Sequence, residues 1–382
     1  MLKVTPRHMV WLCMAVFFVQ PIQFGIWLSN VAEIKIGLAL SNSDLALGLL
    51  GMPIGLLPSL YFASHVVDRI GPRHTLLWLF PLMLIAGVLP GFATGVGSLF
   101  MALFVLGALI AFTEVALNVF AARVEKTLGT SIMNRAHGFW SLGVMAGSFI
   151  GVQMAGLGFT VAESLQWGGL LLLPLLMVVA YILPRITPKQ ETTENAQAKP
   201  PLPKALLPIV AIVFGATIVE GAMIDWSTVY MRDVAEIIAG KEGWAVTIFA
   251  GFVTAGRFIG DAVNNRYGAM LLARMCIGSA ILGLVILTLN LGPDASFLGF
   301  AFVGLGVSTI FPLGISASAA LGDEGEARNV SVMTFGALSG FLVGPPMIGF
   351  VAEATSLNVA FALLLPTLAL SFILAKHLLR MR

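Results

Sequence analysis

The sequence predicts an all-α membrane protein of twelve transmembrane helices, arranged as two six-helix halves. Three observations lead to this prediction: long apolar blocks, a one-sided distribution of basic residues, and sequence features that recur at one offset. Hydrophobic residues make up 58% of the 382 residues and charged residues only 10%, whereas a soluble domain has roughly 25% charged residues. The chain therefore lacks the polar surface that contact with water on all sides requires.

The apolar blocks are about twenty residues long, which is the length that a helix needs to cross the hydrocarbon core. They lack the period of two that the strands of a transmembrane β-barrel show. We therefore expect helical spans at about residues 8–30, 44–66, 75–95, 98–122, 133–157, 165–184, 205–230, 242–264, 269–290, 294–317, 331–353 and 356–378.

The basic residues indicate the orientation of these spans. Twelve spans place both termini on one side, and that side holds all of the 21 lysines and arginines except Lys35, Arg232 and Lys241, with Arg257 near the same face. Basic residues concentrate on the cytoplasmic side of a membrane protein. The sequence therefore predicts cytoplasmic termini, in the inner (cytoplasmic) membrane of a bacterium.

A polar, proline-rich stretch lies near the middle of the chain. Residues 185–204 read RITPKQETTENAQAKPPLPK, a composition that is typical of a flexible linker. We predict an N-terminal half at residues 1–184, a cytoplasmic linker at 185–204 and a C-terminal half at 205–382.

Sequence features of the two halves match at an offset of 197 residues. The segment 68–71, Asp-Arg-Ile-Gly, recurs as Asn-Arg-Tyr-Gly at 265–268. Two glycines of the fifth span recur at this offset in the eleventh span, namely Gly143 and Gly147 as Gly340 and Gly344. Two halves in the same orientation are a known transporter plan, in which substrate binds near the midplane between the halves.

The segment 64–74, SHVVDRIGPRH, resembles the signature loop between helices two and three of the major facilitator superfamily. Asp68, Arg69, Gly71 and Arg73 match that signature, and Ser64 stands where the family usually has glycine. The resemblance implies the major facilitator fold, with Asp68, Arg69 and Arg73 in a cytoplasmic gating loop. The recurrence of the motif extends this expectation to Arg266.

A narrower resemblance concerns the fucose-permease branch of that superfamily. Residues 114–118, Glu-Val-Ala-Leu-Asn, are similar to its Glu-x-x-x-Asn element, and the runs 137–143 and 225–227 are similar to those of bacterial relatives, many without an assigned substrate. The resemblance implies proton-coupled sugar transport with a role for Glu114. Fucose permease also relies on an aspartate in its first helix, which this chain lacks, so that the sugar and the coupling scheme stay open.

Ionisable residues inside the spans are functional hypotheses by default, because they are costly there. Glu114 lies near the middle of the fourth span with Asn118 one turn away on the same face. Glu220 lies in the seventh span, 197 residues after Gln23. We interpret Glu114 as a proton-coupling group, or alternatively as a protonated side chain that is hydrogen-bonded between helices. Glu220 is a further proton-coupling candidate, and whether it lines the path stays open. His137 joins a proton relay with Glu114, or packs near the cytoplasmic interface.

Substrate contacts are predicted from polar and aromatic side chains that suit a polyhydroxylated solute. The candidates are Gln20, Gln23, Trp27, Asn30, Asn118, Trp140, Ser141, Asp225 and Trp226. Hydrogen bonds between helices are the alternative for the first span, and an interfacial position is the alternative for Asp225 and Trp226. Arg257 and Asp261, four residues apart, are expected to pair with each other in a structural or gating role.

Other function classes find little support. No metal-ligand spacing, phosphate-binding loop or nucleophile–base constellation occurs, so we expect neither a cofactor nor an enzyme, and a net charge of +2 implies no affinity for nucleic acid. The partners expected are a small-molecule substrate, protons and the lipid bilayer, with the chain acting as a monomer. The leading hypothesis is a proton-coupled transporter of a small polar solute. The alternatives are a drug or metabolite exporter that acts as a proton antiporter, and a membrane sensor.

Overall fold

The computed structural model describes residues 6–130, 132–185, 202–321 and 326–380. Within these ranges the chain is helical and forms no strand, which confirms the all-α prediction. The helices are α1 (Pro6–Val19), α2 (Ile22–Ser29), α3 (Val31–Gly37), α4 (Asn42–Leu49), α5 (Gly51–Ile70), α6 (Pro72–Val88), α7 (Val96–Leu128), α8 (Met133–Gly156), α9 (Val161–Ile182), α10 (Leu206–Asp233), α11 (Trp244–Tyr267), α12 (Ala269–Leu289), α13 (Pro293–Val307), α14 (Ile310–Ala319), α15 (Glu326–Ala354), α16 (Leu357–Ala362) and α17 (Leu364–Leu374). Short 3-10 helices cover Leu89–Phe92 and Ala375–Arg380.

Among the described residues, twelve helical stretches are long and apolar enough to cross a membrane. In chain order, spans 1 to 12 are Arg7–Ser29, Asn42–Ile70, Pro72–Phe92, Val96–Leu128, Met133–Gly156, Val161–Ile182, Leu206–Asp233, Trp244–Tyr267, Ala269–Leu289, Pro293–Ala319, Arg328–Ala354 and Leu357–Leu378. Each overlaps a predicted span, so that the predicted number is confirmed. Large apolar side chains such as Trp78 and Leu171 are exposed, as the outer face of a multi-pass membrane protein requires.

Two prolines interrupt spans that contribute to the centre of the bundle. Proline has no backbone N–H and cannot bond to the carbonyl four residues earlier in a helix. Pro21 lies in the gap between α1 and α2, next to Gln20. Pro312 follows the gap between α13 and α14 and leaves the carbonyl of Ser308 without its usual helical partner.

Helix packing repeats six spans apart. Span 1 packs on span 5 as span 7 packs on span 11, and span 2 packs on span 4 as span 8 packs on span 10. Span 3 likewise packs on span 4 as span 9 packs on span 10. This is the arrangement expected from the 197-residue offset. The boundaries of the two halves stay a prediction, and residues 186–201 of the predicted linker lie outside the described residues.

The first six spans meet the last six along two lines of contact. Spans 5 and 8 are joined near both ends, by Asn134 Nδ2 donating to Asp261 Oδ1 at 2.9 Å and by the Ser148 and Thr247 hydroxyls 2.9 Å apart. Span 11 meets span 2 mainly through α4. We call the end of the bundle that holds the connections between spans 1 and 2 and between spans 7 and 8 the remote end, because it lies away from the termini. At the remote end the two sets of spans are in contact.

We predict that Gly147→Ala lowers the thermal stability of the protein. A Cβ atom on Gly147 would lie 2.0 Å from the carbonyl oxygen of Ile22, so spans 1 and 5 would have to separate at a cost of about 1–3 kcal/mol. The unfolding midpoint of the purified protein in detergent measures the effect. Gly97→Ala is the matched control, because no neighbouring segment comes within 4 Å of its Cβ position. Equal midpoints for Gly147→Ala and the wild type would contradict this close packing.

Candidate functional site

A polar cluster near the middle of the bundle begins at Trp140 in span 5. Its indole Nε1 donates to Glu114 Oε1 of span 4 at 2.9 Å and to Gln20 Oε1 of span 1 at 3.1 Å. Gln20 reaches this position from the interruption beside Pro21. Glu114 and Gln20 therefore share the indole N–H of Trp140. All three are site residues that the sequence predicts.

His137 is connected to Glu114 through Asn118. His137 Nε2 lies 3.1 Å from Asn118 Oδ1, and Asn118 Nδ2 donates to the backbone carbonyl of Glu114 at 3.0 Å. The ring of Phe17 packs edge-on against the imidazole, with 5.5 Å between the centroids. The structure thus brings His137 close to Glu114, but a proton passing between the imidazole and the carboxyl group would need a bridging group.

Arg257 of span 8 extends the cluster across the two sets of spans. Its Nη1 donates to Ser141 Oγ at 2.6 Å and to the carbonyl of His137 at 3.0 Å, both on span 5. Its Nη2 pairs with Glu220 Oε1 of span 7 at 3.5 Å, and its Nε donates to the carbonyl of Ser308 on span 10 at 3.3 Å. One guanidinium therefore holds four spans together.

The predicted pairing of Arg257 with Asp261 is wrong. The two residues are one turn apart on span 8, but Asp261 is exposed and accepts its hydrogen bond from Asn134. The side chains of Arg257 and Glu220 are only 12% and 13% exposed. A buried guanidinium needs acceptors on every side, and Glu220 together with the carbonyl that Pro312 leaves free supplies two of them.

The charges in this cluster are unevenly matched. Arg257 and Glu220 neutralise each other across the space between spans 7 and 8. Glu114 receives a hydrogen bond from a neutral indole, and no lysine, arginine or histidine nitrogen of the described chain lies within 4.0 Å of its carboxyl oxygens. A carboxylate without a counter-ion is costly in the interior of a membrane protein, so the cluster contains one carboxyl group whose neutralising partner must come from elsewhere.

Span 1 contributes mostly packing. The Gln23 amide donates to carbonyls of span 3 (3.0 Å) and span 6 (3.2 Å), and the Asn30 amide donates to the Ile26 carbonyl of its own span at 2.7 Å. Gln20, Gln23 and Trp27 line one side of a cavity of about 20 Å³, which holds about one water molecule. Of the four predicted contacts on span 1, Gln20 alone is hydrogen-bonded to the central cluster.

Span 7 carries polar groups whose hydrogen-bonding capacity is unused. Asp225 is half-buried and has no hydrogen bond or ion pair within the described ranges. Trp226 is fully buried against Gly349 of span 11, and its indole N–H has no acceptor. Burial excludes Trp226 from an aromatic belt at the membrane surface, which was the alternative interpretation.

The predicted gating residues make local contacts. Asp68 and Arg69 are exposed. Arg73 donates to the carbonyl of Tyr181 in span 6 at 2.6 Å and lies over its ring, whereas Arg266 lies over the ring of the adjacent Tyr267. None of these contacts joins the two sets of spans, so a gating role for these residues stays a prediction.

A second cluster between the two sets of spans was missed at the sequence level. At the remote end, Lys35 pairs with Asp233, and Arg232 pairs with Glu33 at 3.1 Å and with Glu242 at 3.6 Å. A signal for this cluster exists in the sequence, because Lys35 and Arg232 are themselves 197 residues apart. Glu33 precedes Lys35 by two residues, and Asp233 follows Arg232 directly. Each cation can therefore pair with the carboxylate that is the sequence neighbour of the other cation.

Two sets of six spans that meet around a buried polar cluster are an arrangement known from membrane transporters. The model of the Major Facilitator Superfamily matches residues 12–298. The chain therefore belongs to the Major Facilitator Superfamily, a family of transporters. The substrate of this protein is unknown.

Relatives and solved structures agree with this assignment. The chain is 29% identical over 373 residues to an uncharacterised MFS-type transporter of Yersinia pestis (93% of this chain, 92% of the relative) and 26% identical over 343 residues to membrane protein MosC of Rhizobium meliloti (90% and 83%). The structure of the nucleoside transporter NupG superimposes with a TM-score of 0.72 at 14% identity (98% of this chain, 99% of NupG). The fucose:proton symporter FucP of E. coli superimposes with a TM-score of 0.65 at 16% identity (96% and 97%). At these identities the two structures establish the fold alone.

We predict that Arg257→Gln lowers the unfolding midpoint strongly, because it leaves Glu220 buried without a cation. Breaking a buried pair costs about 3–5 kcal/mol. The double variant Glu220→Gln/Arg257→Gln recovers part of this loss, since it removes both charges. The measurement is a double-mutant cycle of midpoints in detergent.

Arg266→Gln is the matched control for this cycle, because Arg266 is an exposed arginine near the end of the same span. It is expected to leave the midpoint nearly unchanged. Losses that simply add in the double variant would contradict an interaction between Arg257 and Glu220.

Proposed function

We propose that the chain moves a small polar solute across the membrane by proton-coupled alternating access, with a sugar or sugar-like compound as the leading class of solute. The observation that carries this proposal is the single indole N–H that Trp140 shares between Glu114 and Gln20. It places a carboxyl group without a counter-ion beside neutral hydrogen-bonding groups. Proton binding and solute binding would therefore take place in contact with each other.

Glu114 would be the principal proton-coupling residue. A proton is the smallest partner that can neutralise its charge, and neutralisation weakens the hydrogen bond from Trp140, because a neutral acid accepts less strongly than a carboxylate. The indole N–H would then be available to a solute. Arg257 would lose its bonds to span 5 when the halves separate. Glu220, which lies in the same half as Arg257, would bind a proton if the guanidinium turned to other partners in that step. His137 would deliver protons through the Asn118 side.

The solute would be held by groups that present neutral donors and acceptors around an aromatic ring. Gln20, Asn118, Trp140 and Ser141 supply an amide pair, an indole and a hydroxyl in one cluster. Such a set suits a solute with several hydroxyl groups. The two superimposed structures are a nucleoside transporter and a fucose:proton symporter, and this supports the same class of solute.

The remaining predicted contacts would act around this centre. Asp225 and Trp226 would meet the solute on the side of span 7, where their polar atoms have no partner within the described ranges. Gln23, Trp27 and Asn30 would fix the shape of span 1 behind Gln20.

Alternating access would require the Arg257 bonds to Ser141 and His137 to break, because these bonds cross the space between the halves. The bond between Asn134 and Asp261 would break in the same step, which opens the end of the bundle that holds the termini (the terminal end). When the remote end opens instead, the loops around Asp68, Arg69, Arg73 and Arg266 would close the terminal end. We place the terminal end in the cytoplasm of a bacterium, with the protein in the inner membrane and acting as a monomer.

We predict that Glu114→Gln abolishes accumulation driven by a proton gradient but leaves exchange of labelled solute intact. Glutamine keeps the size and the hydrogen-bond acceptor and cannot bind or release a proton. Proteoliposomes are loaded with individual sugars and nucleosides to find a counterflow substrate. Accumulation of that substrate is then compared with and without an inward proton gradient.

Asp294→Asn is the matched control, since Asp294 is an exposed carboxylate in the first turn of span 10, and it should accumulate solute like the wild type. Gradient-driven accumulation by Glu114→Gln at the wild-type level would refute the coupling role. An outward flux driven by an inward proton gradient would instead identify a proton antiporter that exports its substrate.

A further inference from the structure

Within the described residues, five charged side chains form one cluster at the remote end, where the two sets of spans are in contact. Glu33 and Lys35 lie on α3, Arg232 and Asp233 at the end of α10, and Glu242 in the connection between spans 7 and 8. Lys35 pairs with Asp233, and Arg232 pairs with Glu33. Because each pair joins one set of spans to the other, both pairs must break before the remote end can open.

Glu242 differs from the other members of this cluster. It is 1% exposed, and its Oε2 atom is buried without a hydrogen-bond partner. The nearest cation, Arg232, is 3.6 Å away and is hydrogen-bonded to Glu33 instead. A fully buried carboxyl oxygen with a cation at 3.6 Å but no hydrogen-bond donor is unusual, because its lost hydration is compensated only in part.

Tight packing beside Glu242 explains its burial. A Cβ atom on the neighbouring Gly243 would lie 2.6 Å from Val152 Cγ2 of span 5 and 2.8 Å from Ser29 Cβ of span 1. The connection between spans 7 and 8 is thus pressed against the first set of spans, and the burial of Glu242 depends on this contact. Separation of the two sets at the remote end would expose Glu242 to water.

The charge balance of the cluster is incomplete by one positive charge. Three carboxyl groups, those of Glu33, Asp233 and Glu242, face two cations, Lys35 and Arg232. The described residues contain no group of three or more His, Cys, Asp or Glu side chains placed to hold a metal ion. Glu33 Oε1 and Glu242 Oε2 lie 3.1 Å and 3.6 Å from the same Nη1 atom of Arg232, so that the two carboxyl groups are neighbours. One proton between them would neutralise the cluster and would supply the donor that Glu242 Oε2 lacks.

We propose that Glu242 is a second proton-binding site of this transporter, in which a proton shared with Glu33 holds the remote end closed. This site is separate from the central cluster and does not depend on the identity of the solute. The proton would come from the compartment that the remote end faces, because the site becomes exposed when that end opens.

Electrostatics at the site agree with this assignment. Burial raises the pKa of the Glu242 carboxyl group above its ordinary value, and the hydrogen bond and negative charge of Glu33 raise it further. A hydrogen bond from the backbone N–H of Glu242 and the charge of Arg232 act in the opposite direction, and the net effect is a raised pKa. The charged groups around the site are Glu33, Lys35, Arg232 and Asp233, with the exposed Lys241 adjacent in the chain. The neighbours on spans 1 and 5, Ser29 and Val152, do not titrate.

The direction of the pH effect follows from linkage. The closed remote end binds the proton more tightly than the open one, in which Glu242 is solvated and has its ordinary pKa of about 4.3. The pKa of Glu242 is raised in the closed state. Lowering the pH from above this raised pKa towards the ordinary pKa of the open state therefore stabilises the closed state. Raising the pH through the raised pKa removes this stabilisation, by up to about tenfold in the closed-to-open ratio per pH unit for one proton.

The test uses spin labels on Leu157→Cys and Leu291→Cys in a background where the buried Cys13 and Cys276 are alanine. Both leucines are exposed, at 77% and 66%, in connections at the remote end, one in each set of spans. The full chain is placed in nanodiscs, and the distance distribution is recorded from pH 8 to pH 5. In the wild type we expect the short-distance population to grow as the pH falls.

Glu242→Gln mimics the protonated acid, so we expect the short-distance population to dominate at every pH. Glu236→Gln is the matched control, since Glu236 is an exposed carboxylate in the same connection, and it should titrate like the wild type. The pH response should also persist in Glu114→Gln, which separates this site from the central one. A Glu242→Gln variant that still titrates like the wild type would overturn the proposal.

A second measurement covers the case in which Glu242→Gln does not fold. The infrared absorption of protonated carboxyl groups is recorded over the same pH range for the wild type and for Glu242→Asp, which keeps the acid. A protonated-carboxyl band that moves in Glu242→Asp supports the assignment. Identical spectra for the two proteins would exclude a proton on Glu242.

Discussion

The guanidinium of Arg257 is the interaction on which the centre of the molecule depends. It binds two acceptors on span 5, one on span 10 and the carboxylate of Glu220 on span 7. A charge at this depth is stable only when its neighbours satisfy it. Span 8, which carries Arg257, and spans 5, 7 and 10 must therefore stay close to one another while these bonds are in place. Any motion that separates the two sets of spans must first give Arg257 other partners.

This constraint connects the fold to the proposed transport cycle. Pro312 frees the carbonyl of Ser308 for Arg257, and Pro21 interrupts span 1 where Gln20 meets Trp140. The prolines thus create backbone and side-chain acceptors at the height where the halves meet. Groups that hold the halves together in this state are the same groups that a polar solute or a proton would engage. A bound solute, a bound proton and the contact between the two halves therefore compete for the same few hydrogen-bonding groups.

Charged groups also hold the two sets of spans together at the remote end, but through a different set of contacts. There the contact is made by ion pairs around Lys35 and Arg232, two cations that the 197-residue repeat places at equivalent positions. The central cluster couples the halves through one buried cation, whereas the remote cluster uses reciprocal pairs and a buried acid. Opening one end while the other stays closed requires the two clusters to break at different steps.

Much of the fold could be predicted from the sequence, because span length and basic-residue placement are governed by the bilayer and not by details of packing. Glu114, Asn118, Trp140 and Ser141 could be recognised because polar groups stand out in apolar helices. The partner of Arg257 could not, because Asp261 is one turn away on the same helix, whereas Glu220 is close only after spans 7 and 8 have packed. The packing roles of Gln23 and Asn30 depend on carbonyls that the sequence does not mark.

The remote-end cluster was overlooked for a related reason. Its charges lie in connections where charged residues are ordinary, and only the packing around Gly243 turns Glu242 into a buried acid. This burial requires span 1, span 5 and the connection between spans 7 and 8 to pack together, and no local sequence pattern predicts it.

The most direct test of coupling at the central cluster is the number of protons taken up when solute binds. Calorimetric titration of the purified transporter in buffers of different ionisation enthalpy gives this number without a membrane. Coupling through Glu114 predicts proton uptake on solute binding by the wild type, and binding without proton uptake by Glu114→Gln. Equal proton uptake by both proteins, or none by the wild type at any pH, would contradict it.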